Sequence, residues 1–226
     1  MSAPTAAELL GIWERSAGRG PLERADALLG EPSGDLPLGE ENARLLELRE
    51  LLFGTELEAA ADCERCGETV EFTISIDELL GERRVADEVL ELRADGHCVR
   101  FRVPTVRDLA EVAVEDDLEG ARAALLERCL VSESPRLPEP VVAAVAERIA
   151  DADPLADVRF DLTCPECGHA WAPALDVGAW LWNELDAWAH RTLHDVHALA
   201  SAYGWSEEEI LALGPRRELY LDLVSG

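Results

Sequence analysis

Basic residues are scarce in this chain of 226 residues, which has 20 Lys and Arg against 47 Asp and Glu and a formal net charge of −27. Such an excess of carboxylates repels the phosphate groups of nucleic acids and of anionic lipid surfaces, so it argues against both as partners. No run of the sequence approaches the roughly 20 apolar residues that a membrane-spanning helix needs. The first residues also lack the basic and apolar regions of a secretory leader, so we expect a cytoplasmic protein.

The usual sequence motifs of catalysis are missing as well. The chain has no Gly-rich phosphate loop, no Gly-x-Ser-x-Gly turn and no nucleophile beside a recognisable base. His190, His194 and His197 share one face of a predicted helix, but Arg191 stands where a metalloprotease has its catalytic glutamate. We therefore predict that the protein is not an enzyme and has no small-molecule substrate.

Cysteine, in contrast, occurs in a repeated pattern, because "CERCG" begins at residue 63 and "CPECG" at residue 164. In a reducing compartment such pairs are typical of metal ligands, although reduced thiols without metal or a redox pair remain alternatives. A structural zinc ion takes four ligands, and each Cys-x-x-Cys turn supplies two. We predict one structural zinc ion with four cysteine ligands: Cys63, Cys66, Cys164 and Cys167.

The two remaining cysteines, Cys98 and Cys129, occur singly and are predicted to be small buried residues. About 100 residues separate the two paired motifs, and a long insertion is compatible with one site because loop-closure entropy grows only logarithmically with length. A shell of four thiolates has no open position for substrate. The predicted zinc ion is therefore structural and not catalytic.

Periodicity predicts an α+β fold that is mainly helical, with a small zinc-ribbon β-sheet formed by the two Cys-x-x-Cys-Gly knuckles and a long helical insertion between them. Apolar and polar residues alternate in "TVEFTISI" and "DVRFDLTC", as in half-buried strands, and Asp95 with Gly96 favours a hairpin turn. We predict five segments, which are N-terminal helices (1–54), a first zinc-ribbon half (55–80), an inserted hairpin plus helical subdomain (81–156), a second zinc-ribbon half (157–178) and a C-terminal helical tail (179–226).

The helical parts have recognisable starts and faces. Thr105 with Asp108, and Ser206 with Glu209, have the spacing of N-terminal capping boxes. We predict helices at about 105–114, 118–130 and 139–152, followed by a long C-terminal helix that Gly204 ends. One stripe of that helix is predicted to be buried: Leu181, Leu185, Trp188, Val196, Leu199 and Tyr203.

The C-terminal stretch also carries a family resemblance. The pattern LA-x-x-YGW-[ST]-x-x-[ED]-I-x-x-L spans Leu199 to Leu213, and "PRRELYL" follows it; "CPECGHAW", "LWNEL" and "VRFRVPTVRDL" lie upstream. These residues resemble the T4-type phage baseplate (hub/assembly) protein family, in particular zinc-ribbon members associated with contractile phage-tail-like injection systems. The resemblance implies a structural or assembly protein of the cytoplasm or of the finished particle, with other baseplate or hub proteins as partners.

Four residues of this stretch are candidate partner contacts, because aromatic and arginine side chains dominate interface energies: Trp205, Arg216, Arg217 and Tyr220. Intramolecular packing and capping are the alternative for the same residues.

Two other functional classes stay open. One is a zinc-ribbon adaptor of transcription or RNA machinery, against which the net charge argues. The other is a metal-dependent hydrolase that uses the histidine face and needs a second metal ion.

Overall fold

The computed structural model describes residues 3–114, 117–131, 137–214 and 216–225. The chain is about 56% helical and has small antiparallel sheets, which confirms the predicted mixed α+β class. It divides into two compact units, Leu29–Val177 and the combination of Met1–Leu28 with Gly178–Gly226. The predicted N-terminal segment 1–54 is thus shared between the two units, since its first two helices group with the C-terminal tail and its third helix groups with the cysteine motifs.

The first unit consists of helices from both ends of the chain: α1 (Ala6–Ser16), α2 (Pro21–Leu29), α8 (Val177–Tyr203), α9 (Glu207–Leu211) and α10 (Arg216–Ser225). In α8 the predicted stripe is largely buried, with Leu181, Leu185 and Leu199 at 0% exposure. Trp188 is only half-buried and Tyr203 is exposed, so the stripe is less enclosed toward the end of the helix.

The ends of these helices follow the predicted capping chemistry. Gly204 has φ of 71°, and its N–H donates to the carbonyl of Ala200 at the end of α8. This left-handed conformation suits glycine because it has no Cβ to clash. The Ser206 hydroxyl accepts from the N–H of Glu209, whose carboxylate accepts from the N–H of Ser206, so the predicted capping box of α9 is confirmed.

The second unit contains the remaining elements in the order α3 (Leu38–Phe53), β1 (Glu56–Asp62), β2 (Thr69–Ser75), α4 (Ile76–Gly81), β3 (Leu90–Ala94), β4 (His97–Phe101), α5 (Val106–Val112), α6 (Leu118–Cys129), α7 (Glu139–Ala152), a 3-10 turn (Pro154–Ala156), β5 (Leu162–Thr163) and β6 (Ala170–Trp171). The strands form three antiparallel hairpins, β1–β2, β3–β4 and β5–β6. In the described residues the two cysteine motifs therefore belong to two separate two-stranded sheets, whereas one joined sheet was predicted.

The inserted hairpin β3–β4 confirms the turn prediction. Asp95 and Gly96 both have positive φ, 47° and 78°, which is the conformation that a tight two-residue hairpin turn needs. The inward side chains Val99 and Phe101 join Val141 and Val145 of α7 in a core cluster whose members are almost fully buried. The prediction that Cys98 is buried is wrong, because the pleat of β4 turns it to the exposed face.

Two buried aspartates form hydrogen bonds that connect helices and strands of this unit. Asp108 completes the predicted capping box with Thr105 and accepts hydrogen bonds from Arg102 and Arg128 at 2.6 and 3.0 Å. Asp153 accepts from the N–H of Gly39 at 3.0 Å, so a carboxylate from the end of α7 caps the start of α3. Asp108 therefore joins the ends of β4 and α6 to the start of α5, and Asp153 joins two helices whose contacting residues are 114 positions apart.

Candidate metal centre

The first cysteine turn connects β1 to β2. The two strands pair over their full length from Glu56↔Ser75 to Asp62↔Thr69, and the turn begins at the next residue, Cys63. The N–H of Cys63 donates to the carbonyl of Glu68, and the N–H of Gly67 donates to the carbonyl of Cys63, both at 2.8 Å. Gly67 has φ of 75°, which lets the chain turn back into β2 directly after the cysteines.

The second cysteine turn has the same local geometry on a much shorter hairpin. The N–H of Cys164 donates to the carbonyl of His169 at 2.9 Å, and the N–H of Gly168 donates to the carbonyl of Cys164 at 3.0 Å. Gly168 has φ of 67°. The repeated Cys-x-x-Cys-Gly pattern therefore encodes one conformation twice, and that conformation directs both sulfurs of each turn toward the other turn.

The four sulfurs converge as the sequence predicted. They all lie within 4.8 Å of one another, with Cys63 Sγ 3.7 Å from Cys167 Sγ and Cys66 Sγ 3.6 Å from Cys164 Sγ. The buried first cysteine of each turn is thus beside the more exposed second cysteine of the other. Zinc–sulfur bonds of about 2.3 Å in a tetrahedron place sulfurs about 3.8 Å apart, so the arrangement can hold a metal ion.

The thiols influence each other's ionisation. Burial raises the pKa of Cys63, but the backbone N–H groups of Arg65 and Cys66 lower it more strongly, to about 7. The N–H of Glu68 lowers the pKa of Cys66, but the neighbouring thiols and burial outweigh it and raise the pKa to about 12. One thiol of the cluster therefore ionises readily while another resists, as is typical of closely spaced groups that titrate together.

An aromatic contact near the cluster joins the two hairpins. Phe72 of β2 and Phe160, which precedes β5, have ring centroids 5.4 Å apart with planes tilted by 57°. Both residues belong to the apolar faces of predicted strands, but their mutual contact was not predicted. The N–H of Phe160 donates to the carbonyl of Pro173, and Arg159 and Ala174 pair as an isolated antiparallel β-bridge of the backbone. The predicted strand up to Cys164 is therefore regular only at Leu162–Thr163.

The predicted histidine face lies in the first unit. The side chains of His190, His194 and His197 are exposed, and across the described parts of the chain the four cysteines are the only group of three or more potential metal ligands. His190 instead packs edge-on against Trp13, whose indole N–H donates to Asp186. The histidine face is thus not gathered around a common point.

The predicted partner contacts lie around α9 and α10, where several of them pack against the chain itself. Trp205 and Tyr220 are in edge-to-face contact at 4.9 Å, and both pack against the core of Val196, Leu199 and Ile210. Arg217 Nε lies 3.7 Å from a carboxylate oxygen of Asp195, while Arg216 is exposed. The aromatic pair therefore stabilises this end of the unit, and Arg216 is the most accessible of the four candidates.

None of the described helices combines the length and the apolar character that crossing a lipid bilayer requires. No protein-family model, curated protein or solved structure matches this chain.

Proposed function

We propose that Cys63, Cys66, Cys164 and Cys167 bind one zinc ion in a zinc-ribbon arrangement and that this ion has a structural role. The observation that carries the proposal is the convergence of four sulfurs from two turns of matching backbone geometry. Four thiolates fill a tetrahedral shell and leave no position for water or substrate. Tetrahedral thiolate sites also accept iron, so metal analysis of the purified protein must decide between the two metals.

The function built on this site is that of a non-enzymatic structural or assembly component of a baseplate, in a contractile phage tail or a phage-tail-like injection system. Its support is the resemblance of the stretch from Leu199 to Leu221 to the baseplate family, together with a metal site of a structural type. The strong negative charge favours basic protein neighbours over nucleic acid. The partners are accordingly other baseplate or hub proteins.

The docking residues of this proposal are Trp205, Arg216, Arg217 and Tyr220. Exposed aliphatic side chains of α10 lie close by in the sequence, with Leu219 at 65% and Leu223 at 72% exposure. A helix with this apolar surface beside an accessible arginine has the composition of a protein contact. Arg216→Glu should weaken recovery of the partner, whereas Arg148→Glu at an exposed position of α7, away from these residues, is the matched charge control.

Purification of native complexes from the producing cell tests the proposed function. An N-terminally tagged chain should sediment with tube, sheath and baseplate proteins, or with a small complex of hub proteins if it acts only during assembly. Recovery with RNA polymerase or ribosomes would contradict the proposal and favour the adaptor class. Cys98→Ser, which leaves the cysteine cluster intact, is the control for a Cys164→Ser variant in the same experiment.

A further inference from the structure

Helices α6 and α7 of the second unit flank an open groove of about 740 Å³. Its walls are mostly aliphatic, with side chains that include Leu125, Leu126, Leu130, Val142, Ala146 and Ile149. Small-molecule pockets have volumes of roughly 300–1,000 Å³ and predominantly apolar walls. This groove therefore has the size and surface of a binding site, and it lies outside the cysteine cluster.

The protein core beneath the groove is complete without anything bound in it. Phe101, Val141 and Val145 are fully buried, and Cys129 in the floor is 1% exposed. Burial raises the pKa of the Cys129 thiol to about 11, so the floor is uncharged at neutral pH. Leu126, Leu130 and Ile149 pack partly against this core, and within the described residues the rest of their apolar surface is accessible in the groove. Covering that remainder would remove apolar surface from water.

The charged side chains at the rim of the groove are mostly negative. Three carboxylates, Glu119, Glu127 and Glu139, line it beside a single guanidinium, Arg122. Within the described parts of the chain, none of these three carboxylates forms an ion pair. The groove thus combines an apolar floor and walls with unpaired negative charge along the edges, in a chain whose formal net charge is −27.

We infer that this groove binds an amphipathic helix with basic flanks, presented by a partner protein. An apolar stripe would cover the aliphatic walls, and Lys or Arg beside the stripe would meet the rim carboxylates, as in helix-in-groove recognition. The inference rests on the proposed function only in making the partner a protein. The lining on α7 runs from Glu139 to Ile149, so at about 1.5 Å per residue the groove accommodates about three helical turns.

The test uses the purified chain and a fluorescein-labelled synthetic helix of about 14 residues, which matches the length of α7 at about 1.5 Å per residue. The peptide has leucines at i, i+3, i+4 and i+7 spacing and lysines on both flanks of that stripe. Its controls are a peptide with glutamate in place of each lysine and a peptide of the same composition in scrambled order. Anisotropy should show saturable, salt-sensitive binding of the lysine peptide and weaker binding of both controls, by about tenfold or more.

A matched pair of surface variants locates the binding. Ala123 lines the groove and is exposed, so Ala123→Arg keeps a good helix former, fills the groove and pairs with Glu119 and Glu127 one turn away. Ala150→Arg adds the same charge at an exposed position of α7 that does not line the groove. We expect Ala123→Arg to weaken peptide binding by about tenfold or more, and Ala150→Arg to change it by less than about twofold. Circular dichroism melting should show both variants folded.

The inference would be overturned if the lysine peptide fails to bind, if it binds the wild type and Ala123→Arg equally, or if the glutamate peptide binds as well as the lysine peptide. Sedimentation equilibrium measures the oligomeric state of the chain. A wild-type dimer that Ala123→Arg makes monomeric would also overturn the inference, because it would assign the groove to a second copy of this chain. Because these measurements use only purified protein and synthetic peptide, their failure leaves the particle co-sedimentation result untouched, and the reverse also holds.

Discussion

The first cysteine turn joins two strands of seven residues each, whereas the second joins two strands of only two residues each. The turns themselves are nearly the same, with matching N–H···O=C pairs and a glycine of positive φ in each. An isolated two-stranded hairpin is marginal in water. Beyond β5–β6 the second hairpin continues only as an irregular ladder, in which the N–H of Phe160 donates to Pro173 and the N–H of Leu175 donates to Val158. The second turn therefore depends more on its contacts with the first, and on a shared metal ion, than the first depends on it.

The two turns also differ in what surrounds them. Leu57 and Ile76, at the far ends of the first hairpin, are fully buried, so its base is anchored in the core of the second unit. Around the second turn the described anchors are the ring contact of Phe160 with Phe72, the buried Val158, and the irregular backbone pairing of residues 158–160 with 173–175. A metal ion bound between the turns would transfer order from the well-supported hairpin to the poorly supported one. Substitutions in each hairpin test this asymmetry.

Removing one buried ligand should have the largest consequence. Cys164→Ser and Cys63→Ser should each abolish metal binding and lower the free energy of unfolding by several kcal/mol, since a structural zinc ion contributes about 10–16 kcal/mol in small zinc peptides. Hydrogen exchange should then show lost protection at β5–β6 in both variants and retained protection at β1–β2. Cys98→Ser is the control and should keep its metal. Equal loss of protection in both hairpins would contradict the asymmetry.

The buried ion pair at Asp108 provides a comparison in which stability falls without any change at the metal site. Burial raises the pKa of the Asp108 carboxyl, but Arg102 and Thr105 lower it more, well below its usual range. Asp108→Ala removes the carboxylate that Arg102 and Arg128 share, although Arg128 keeps Glu111 and both arginines are partly solvated, so it should cost roughly 1.5–3 kcal/mol. Urea unfolding should report this loss, while the zinc content per chain stays that of the wild type. Loss of zinc in this variant would mean that metal retention only follows global stability.

The same carboxylate predicts a dependence on acid. Because the folded-state pKa of Asp108 is depressed, its contribution to stability is present above the unfolded pKa of about 3.9 and is lost as pH falls below that value. Metal-free Cys164→Ser protein removes the separate effect of thiolate protonation. In that background the chain with Asp108 should lose stability steeply below about pH 4, and Asp108→Asn should flatten this part of the profile. An unchanged profile in the Asn variant would assign the acid sensitivity to other carboxylates.

The aromatic contact between the hairpins should matter more for the second turn. Phe160→Leu and Phe72→Leu both remove the ring pair, which is worth about 0.5–1.5 kcal/mol beyond burial. We expect Phe160→Leu to weaken zinc affinity more, because the regular ladder of β5–β6 has only two residue pairs, while β2 keeps all seven of its pairs after Phe72→Leu. Competition with a chromogenic chelator measures both affinities. A larger effect from Phe72→Leu would reverse the proposed dependence.

A comparably small effect is expected from the turn glycines Gly67, Gly96 and Gly168, all of which have positive φ. A methyl group added at any of them meets no other atom within 4 Å, so alanine there costs only the strain of the left-handed backbone, roughly 1–2 kcal/mol. Gly168→Ala should weaken zinc binding more than Gly67→Ala. Gly96→Ala, in the hairpin that carries no paired cysteines, should cost similar stability and leave zinc affinity unchanged, as chelator competition would show.

Features that depend on local chemistry could be predicted from the sequence. The capping boxes at Thr105 and Ser206 and the turn at Asp95 and Gly96 satisfy backbone groups within a few residues, so their patterns specify them directly. The convergence of the four cysteines was also predictable, because each turn is incomplete as a metal site by itself.

Features that depend on distant contacts were missed. β1 reads "ELEAAAD" and has poor strand propensity, yet it is a full strand because β2 pairs with it along its whole length. The division of the N-terminal helices between two units arises from packing across the chain, which periodicity does not report. The groove between α6 and α7 could not be predicted either, because residues that line a groove and residues of the core are both apolar and have the same sequence pattern.

The most direct test of the central claim is the metal and thiol stoichiometry of the chain purified under reducing conditions. Native mass spectrometry should find one zinc ion per chain. Titration with a mercurial reagent should release that ion only as four thiols react, after Cys98, which is exposed, has reacted without releasing metal. A chain that contains no metal and whose cysteine pairs all react freely, or one that retains zinc after Cys164→Ser, would contradict a shared structural zinc site.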